Sequence, residues 1–283
     1  MRLFKEFTIL MTKKEKKRRE NLLREKIQKF RLLDDEFMSK VFEDDIDLTQ
    51  FMLNIVMQRN DLTVLEAKGQ VQIKNLLGRS VKLDIKATDK DGKLYNIEVQ
   101  RDNDGACPER ARYHSAILDA NTLLPKQNFT ELPETYIIFI TEHDYFKGGL
   151  PFYHIDRTIK ENGMTFCDRS HIIYVNGKYR DDSDIGKLMH DFCCANPDEM
   201  KYKLLAEKTR YYKKDEEGVK KMSPVIVEYA QEIAAEEKAA QAEEFAMKLL
   251  EDGIYSIPKI AEISNLPETK VKELAAKLQV ATR

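Results

Sequence analysis

A chain of 283 residues has the length for one large domain or two smaller ones with a sizeable core. It is 42% hydrophobic and 34% charged, with no Trp and a net charge of −2, so its average charge makes no electrostatic case for nucleic acid. No run approaches the ~20 apolar residues of a membrane span. The opening MRLFKEFTILM is too short and too charged for a secretory signal. Cys107, Cys167, Cys193 and Cys194 lack CxxC spacing, and the five His form no HxxxH or HExxH pattern. These features predict a cytoplasmic protein with reduced thiols and no membrane partner.

Residues 1–31 hold twelve Lys/Arg against four Glu, an excess of +8, with helical composition from residue 12. Such a run is either a solvated helix or frayed tail, or an arm that contacts phosphates. Asp34 or Asp35 then caps a short helix whose stripe is Phe37, Met38, Val41 and Phe42. Asp44, Asp45 and Asp47 break the chain, and Leu48 to Arg59 reads as a second amphipathic helix. Val64 to Leu77 alternates as a strand.

The stretch 81–101, VKLDIKATDKDGKLYNIEVQR, reads as two strands about an Asp-Lys-Asp-Gly turn. Lys82, Asp84, Lys86 and Thr88 share one face of the first strand, and Asn96, Glu98 and Gln100 share one face of the second. A turn centred on Asp91 sets position 84 opposite 98, where Cβ atoms lie ~5 Å apart.

Pro108 begins a helix to about Thr122, with Arg110, Arg112, Tyr113 and His114 in its early turns. TYIIFIT, ending at Thr141, is a continuous apolar run of the kind buried on both sheet faces. Phe152 to Ile159 and His171 to Val175 read as short strands. Ile185 to Asp191 starts helical structure that Met200 to Tyr212 continues. Ser223-Pro224 reads as the start of a Glu/Ala/Lys-rich helix that Gly253 stops, and Ser256-Ile-Pro258 and Asn265-Leu-Pro267 start two more. The expected organisation is a basic helical arm (1–31), a mixed α/β body (32–212) and a helical C-terminal region (223–283). Its last three helices have helix-turn-helix-like spacing, which also suits packing or oligomerisation.

Two carboxylates facing each other on paired strands repel and call for a cation. Mg²⁺ takes one or two protein carboxylates and completes its shell with waters and substrate phosphate oxygens. Asp84 and Glu98 meet that requirement, a backbone carbonyl near Val99 adds a ligand, and the Gln100 amide can position a water. The same spacing also fits a solvated hairpin face with Lys82 and Lys86 as ion partners. A glycosidase acid pair is a further option, although the aromatic platforms that usually attend it lack Trp here.

The segment RSVKLDIKATDKDGKLYNIEVQRDNDGACPERARYHSAILDANTLLPKQNFTELPETYIIFIT, followed in order by GGLPFYHIDR and HIIYVNGKYRDD, resembles the PD-(D/E)XK nuclease superfamily. More closely, it resembles the Rpn family of recombination-promoting nucleases, often labelled transposases. The resemblance implies an α/β fold with a restriction-endonuclease-like core, a mixed central sheet flanked by helices, and a helical C-terminal extension. It implies Mg²⁺-dependent endonucleolytic cleavage of DNA, linked to recombination or mobile elements. Asp84 matches the first motif acid, Glu98 the acid of E-x-K, and Gln100 the Lys position, an E-x-Q form usual in this branch. Asp35 resembles the Asp that opens the family's first helix. Gln cannot offer a positive charge, so that charge falls to Lys86, to Arg101 or to the metal alone. Arg110 and Arg112 either approach phosphates or are plain surface-helix charges. The alternative to an active enzyme is a decayed nuclease fold that binds DNA or serves as a regulatory or oligomerising module. The partners expected are DNA and, through the C-terminal helices, a second copy of the chain.

Overall fold

A computed structural model describes residues 13–75 and 78–281. The first twelve residues of the basic run and the expected strand end at Leu76-Leu77 lie outside the described residues. The chain divides into two compact units, residues 1–223 and 224–283.

The first unit is built on a six-stranded mixed sheet. Its strands are β1 (Val64–Ile73), β2 (Val81–Asp89), β3 (Leu94–Gln100), β4 (Thr135–Thr141), β5 (Phe152–Ile155) and β6 (Ser170–Asn176), in the order β1-β2-β3-β4-β6-β5. The β3–β4 and β4–β6 ladders are parallel and the other three antiparallel. The apolar run on β4 lies at the parallel centre, with Ile137, Ile138, Phe139 and Ile140 fully buried, as a strand covered on both faces must be.

Helices α1 (Lys13–Lys29), α2 (Asp35–Phe42) and α3 (Ile46–Val56) precede the sheet. Asp45 caps α3 by accepting the Leu48 N–H at 2.9 Å. Helix α2 packs against β1, β2 and β3. Helix α4 (Pro108–Ala120), with Pro at its start, sets Ala111, Ile117 and Leu118 into a cluster with Leu83, Leu94, Ile137, Phe139 and Tyr174. Its buried face also takes in His114 and Ser115 and leaves Ala116 exposed, because that face follows the helical period around a histidine rather than the alanines.

The C-terminal part of the unit comprises two separate helices, α5 (Asp184–Cys193) and α6 (Lys203–Lys214). The break between them is organised by buried Asp191, whose carboxylate accepts the N–H groups of Lys201 and Tyr202 at 2.7 and 2.8 Å. Helix α6 carries buried Lys213. Its ammonium donates to the carbonyls of Gln28 (3.0 Å), Phe30 and Ala195, and lies 5.3 Å from the centre of the Phe37 ring. Ile27 and Phe30 are buried too, so the end of the basic run belongs to the body rather than to a free arm.

The next helix, α7 (Glu216–Asp252), begins seven residues before the expected Ser223-Pro224 start and carries Pro224 inside it. The reason is a better upstream cap: the Asp215 carboxylate accepts the Glu217 N–H at 2.9 Å and the Gly218 N–H at 3.4 Å. The Ser223 hydroxyl turns back to the Val219 carbonyl. In the second unit, α8 (Ile257–Ser264) and α9 (Glu268–Ala281) flank a turn in which Asn265 takes a left-handed conformation, φ 58°. Ala246, Ile260, Ala261, Val271 and Leu274 form its core.

Candidate active site

The β2–β3 ladder runs from Thr88↔Leu94 to Ile85↔Ile97. Continued, that register sets Asp84 opposite Glu98, but there side-chain bonds replace ladder bonds. The Val99 N–H donates to Asp84 Oδ2 at 3.0 Å and the Asp84 N–H donates to Glu98 Oε1 at 3.3 Å. Leu83, Asp84 and Ile85 are all buried in succession, where simple alternation would expose one of the two sides. The acids therefore interlock with the backbone between the strands instead of sitting side by side on an open face.

Glu98 is fully buried and Asp84 nearly so. Burial raises the Asp84 carboxyl well above its ordinary range, the Glu98 and Asp35 charges push it further, and the Val99 N–H and Arg110 oppose them. A solvated hairpin face neutralised by Lys82 and Lys86 does not describe this pair. Lys82 is exposed, and Lys86 stands in register with Asn96 on β3 and Lys68 on β1.

Beside the acids lies an open cavity of about 670 Å³. Asp35 at the start of α2, Val99 and Gln100 at the end of β3, and Arg101, Asp102 and His143 line it. Arg101 is engaged elsewhere on the same rim, 3.3 Å from Asp34 and 3.4 Å from Glu142, which Arg31 also holds at 2.7 Å.

Arg110 and His114, one turn apart on α4, close the other side. Arg110 Nη2 is 3.5 Å from Glu98 Oε2, Nη1 donates to Gln100 Oε1 at 3.3 Å, and Nε donates to His114 Nε2 at 3.4 Å. His114 Nδ1 is 3.6 Å from Glu98 Oε1 and 3.0 Å from the Asn96 amide. Arg112, two residues along, is exposed. Asp84, Glu98, Gln100, Arg110, Asp35 and Val99 thus converge, whereas Lys86 and Arg112 do not join the cluster. Sequence reasoning did not single out Asn96, His114, Gly105 or His143. The first two had a usable signal: Asn96 is two residues from Glu98 on an alternating strand, and His114 is four from Arg110 on a helix. The latter two are brought in by loops, which have no period.

A family model described as a PD-(D/E)XK nuclease family transposase matches residues 39–259. The chain belongs to that family. The match covers the whole sheet, both motif acids, α4 and all of α7, while Asp35 lies just ahead of it. No curated protein and no solved structure matches the chain. Membership makes the mixed sheet a restriction-endonuclease-like core and the function nuclease- or transposase-like.

Family nucleases of this kind use divalent cations, so the donor set must be asked whether it suits one. Among the described residues no three His, Cys, Asp or Glu side chains gather as a metal-holding group. Two buried carboxylates with a third acid acting on one of them nevertheless form a concentrated, all-oxygen negative site beside an open cavity. That chemistry fits a hard cation that keeps several waters. Among the described residues no helix is long and apolar enough to cross a membrane.

Proposed function

We propose that this protein is a divalent-metal-dependent DNA endonuclease, acting in the cytoplasm in recombination or on mobile DNA. The observation that carries the reading is the buried Asp84 carboxyl, interlocked with buried Glu98 at the edge of a cavity wide enough for a phosphate and its waters. Asp84 and Glu98, with the Val99 carbonyl, would hold Mg²⁺ or a similar cation, and Asp35 adds its charge from across the cavity. Bound there, the cation supplies charge neutralisation on the phosphate and a lowered pKa for water.

The chain's own groups do the rest. The Val99 N–H fixes the Asp84 carboxylate in place, and Glu98 is held by the Asp84 N–H and Arg110. Gln100 presents its amide to the cavity, where it orients the attacking water. In the hydrolysis the water oxygen bonds to phosphorus, one phosphodiester P–O bond breaks, and a water proton ends on the departing oxygen.

Supercoiled plasmid incubated with the purified protein should be nicked in Mg²⁺ or Mn²⁺ and not in EDTA, and both Asp84→Ala and Glu98→Ala should abolish nicking. Metal-dependent nicking that survives both substitutions overturns the site assignment. Absence of nicking with any divalent ion favours a decayed fold that only binds DNA. For the C-terminal helices an associating role suits their charges better than groove reading. Lys270 is paired with Glu243 at 3.0 Å and Lys272 lies 3.9 Å from Glu268, so these two cations of the last helix already have acids of the same region as partners. Loss of residues 224–283 should then lower the solution mass to that of a single chain without weakening duplex affinity.

A further inference from the structure

Gln at the motif Lys position leaves the site one cation short, and α4 brings a cation to that place. We propose that Arg110 is a catalytic residue that supplies the missing positive charge, taking a non-bridging oxygen of the scissile phosphate. The proposal rests on the nuclease reading above and goes beyond it by naming the group that replaces the lysine.

Three contacts hold the guanidinium: Gln100 Oε1 at 3.3 Å, Glu98 Oε2 at 3.5 Å and His114 Nε2 at 3.4 Å. Those to Glu98 and His114 reach inward to buried side chains, while 37% of the Arg110 side chain remains accessible and can meet a ligand. Arginine is charged at any working pH and presents a planar fork suited to phosphate oxygens. Its contact with Gln100 ties it to the very side chain that occupies the lysine position. The other basic candidates are worse placed. Arg101 is divided between Asp34 and Glu142, and Arg112 is exposed outside the cluster.

The arginine is also aimed. For Arg110 Nε–H to donate to His114 Nε2, that nitrogen must carry the lone pair and Nδ1 the proton. Nδ1 then needs an acceptor. The buried Asn96 amide lies 3.0 Å away, and its Oδ1 has no partner unless the amide is turned to face the ring. So turned, Asn96 fixes the tautomer, His114 accepts from Arg110, and the fork faces Glu98 and Gln100. Asn96 and His114 are positioning residues in this scheme.

Gly105 closes the arrangement from the short 3-10 turn (Asn103–Ala106) before α4. A Cβ there would fall 2.1 Å from Gln100 Oε1 and 3.1 Å from its Cδ, but at an ordinary 3.6 Å from Arg110 Nη1. Glycine is what allows the Gln100 amide to lie against the arginine.

The test combines plasmid cleavage in Mg²⁺, duplex affinity in Ca²⁺ and Mn²⁺ titration of the DNA-free protein. Arg110→Ala should lose about 10²–10³-fold in cleavage rate, the loss typical of removing one preorganised donor to developing charge. Duplex affinity should fall less than about fivefold, since one phosphate contact among many is lost. Mn²⁺ affinity should be no weaker than in the wild type, because a neighbouring positive charge is gone. Arg110→Gln, which keeps a polar side chain and a donor but no charge, should fall as far, and it covers the case in which Arg110→Ala does not fold. Adding Gln100→Lys to Arg110→Ala should recover at least about tenfold of the lost rate by restoring the charge. Gly105→Ala should slow cleavage with an unchanged melting temperature.

Arg110→Gln cleaving within threefold of wild type, rate and duplex affinity falling equally, lost Mn²⁺ binding, or no recovery with Gln100→Lys would each overturn the proposal. Asp84→Ala separates the two levels. Cleavage abolished by Asp84→Ala but untouched by Arg110→Gln removes only the arginine's role. A wild-type protein that cleaves no DNA with any divalent ion removes the nuclease reading and the arginine's role together.

Discussion

Two buried ionisable groups in the first unit receive opposite treatment. The Lys213 ammonium is met by three backbone carbonyls and the face of Phe37. Burial draws it down only to about 8. The Asp84 carboxylate is met by one backbone N–H and confronts Glu98 and Asp35, and it is raised well above its usual range. The lysine joins the end of α1 to α6, and its surroundings answer its charge from within the chain. At the acid pair a single cation, Arg110, faces Asp84, Glu98 and Asp35 beside a cavity, which is the pattern expected of a site completed by something from outside. Burial alone therefore does not separate structural from functional charge; the local supply of counter-dipoles does.

The largest effect that would break this contrast is catalytic. Glu98→Ala and Asp84→Ala should each lower metal-dependent cleavage by about 10³-fold or more, the equivalent of several kcal/mol of transition-state charge stabilisation. Neither should lower the melting temperature much, since each removes one of two like charges. A Glu98→Ala protein that cleaves normally would make the pair a structural curiosity of the strand junction.

Lys213→Met should do the reverse. It strands three buried carbonyls that cost about 1–3 kcal/mol apiece when unpaired, so the melting temperature should drop by about 10 °C or more. Cleavage per folded molecule should change little. The lysine also predicts a pH slope. Between about 8 and the ordinary 10.5 the folded state binds fewer protons than the unfolded one, so wild-type stability rises with pH there. Lys213→Met should lack that slope in thermal melts, and an unaltered slope would mean that Lys213 is not the titrating group.

The sheet and the hairpin were legible because their signals are periodic or chemically marked: the apolar run on β4, and the Asp-Lys-Asp-Gly turn that sets 84 against 98. The basic run could not be assigned from composition, because Ile27 and Phe30 are buried and a lysine 183 residues away holds its end, and such contacts leave no local trace. The start of α7 was missed since Ser-Pro is a good cap in isolation, but Asp215 offers an earlier one. At the site, the motif acids were readable and their surroundings only partly so. Arg110 and His114 stand in the right helix, yet only the packing of α4 on the sheet directs them to Glu98 and Gln100. The interlock at Asp84 is likewise set by the side chains on both strands and not by alternation.

Asp84→Asn is expected to give the smallest shift, and it most sharply tests whether the acid pair is held in wait for a cation. Oδ1 of an asparagine can still accept the Val99 N–H, so geometry is kept while the charge goes. The native carboxyl is raised, so above the ordinary 3.8 the folded wild type binds more protons than the unfolded chain, and its stability falls as pH rises towards the native pKa. Without metal, Asp84→Asn escapes that loss and should melt higher than wild type at neutral pH, by about 2–4 °C for each kcal/mol relieved. At pH 4 the two should converge. Millimolar Mg²⁺ should raise the wild-type melting temperature at neutral pH and leave the variant unmoved, because only the charged pair gains a ligand that binds the folded state. Were the variant to melt at or below the wild type across this range, Asp84 would be an ordinary satisfied carboxylate. The contrast with Lys213 would then disappear.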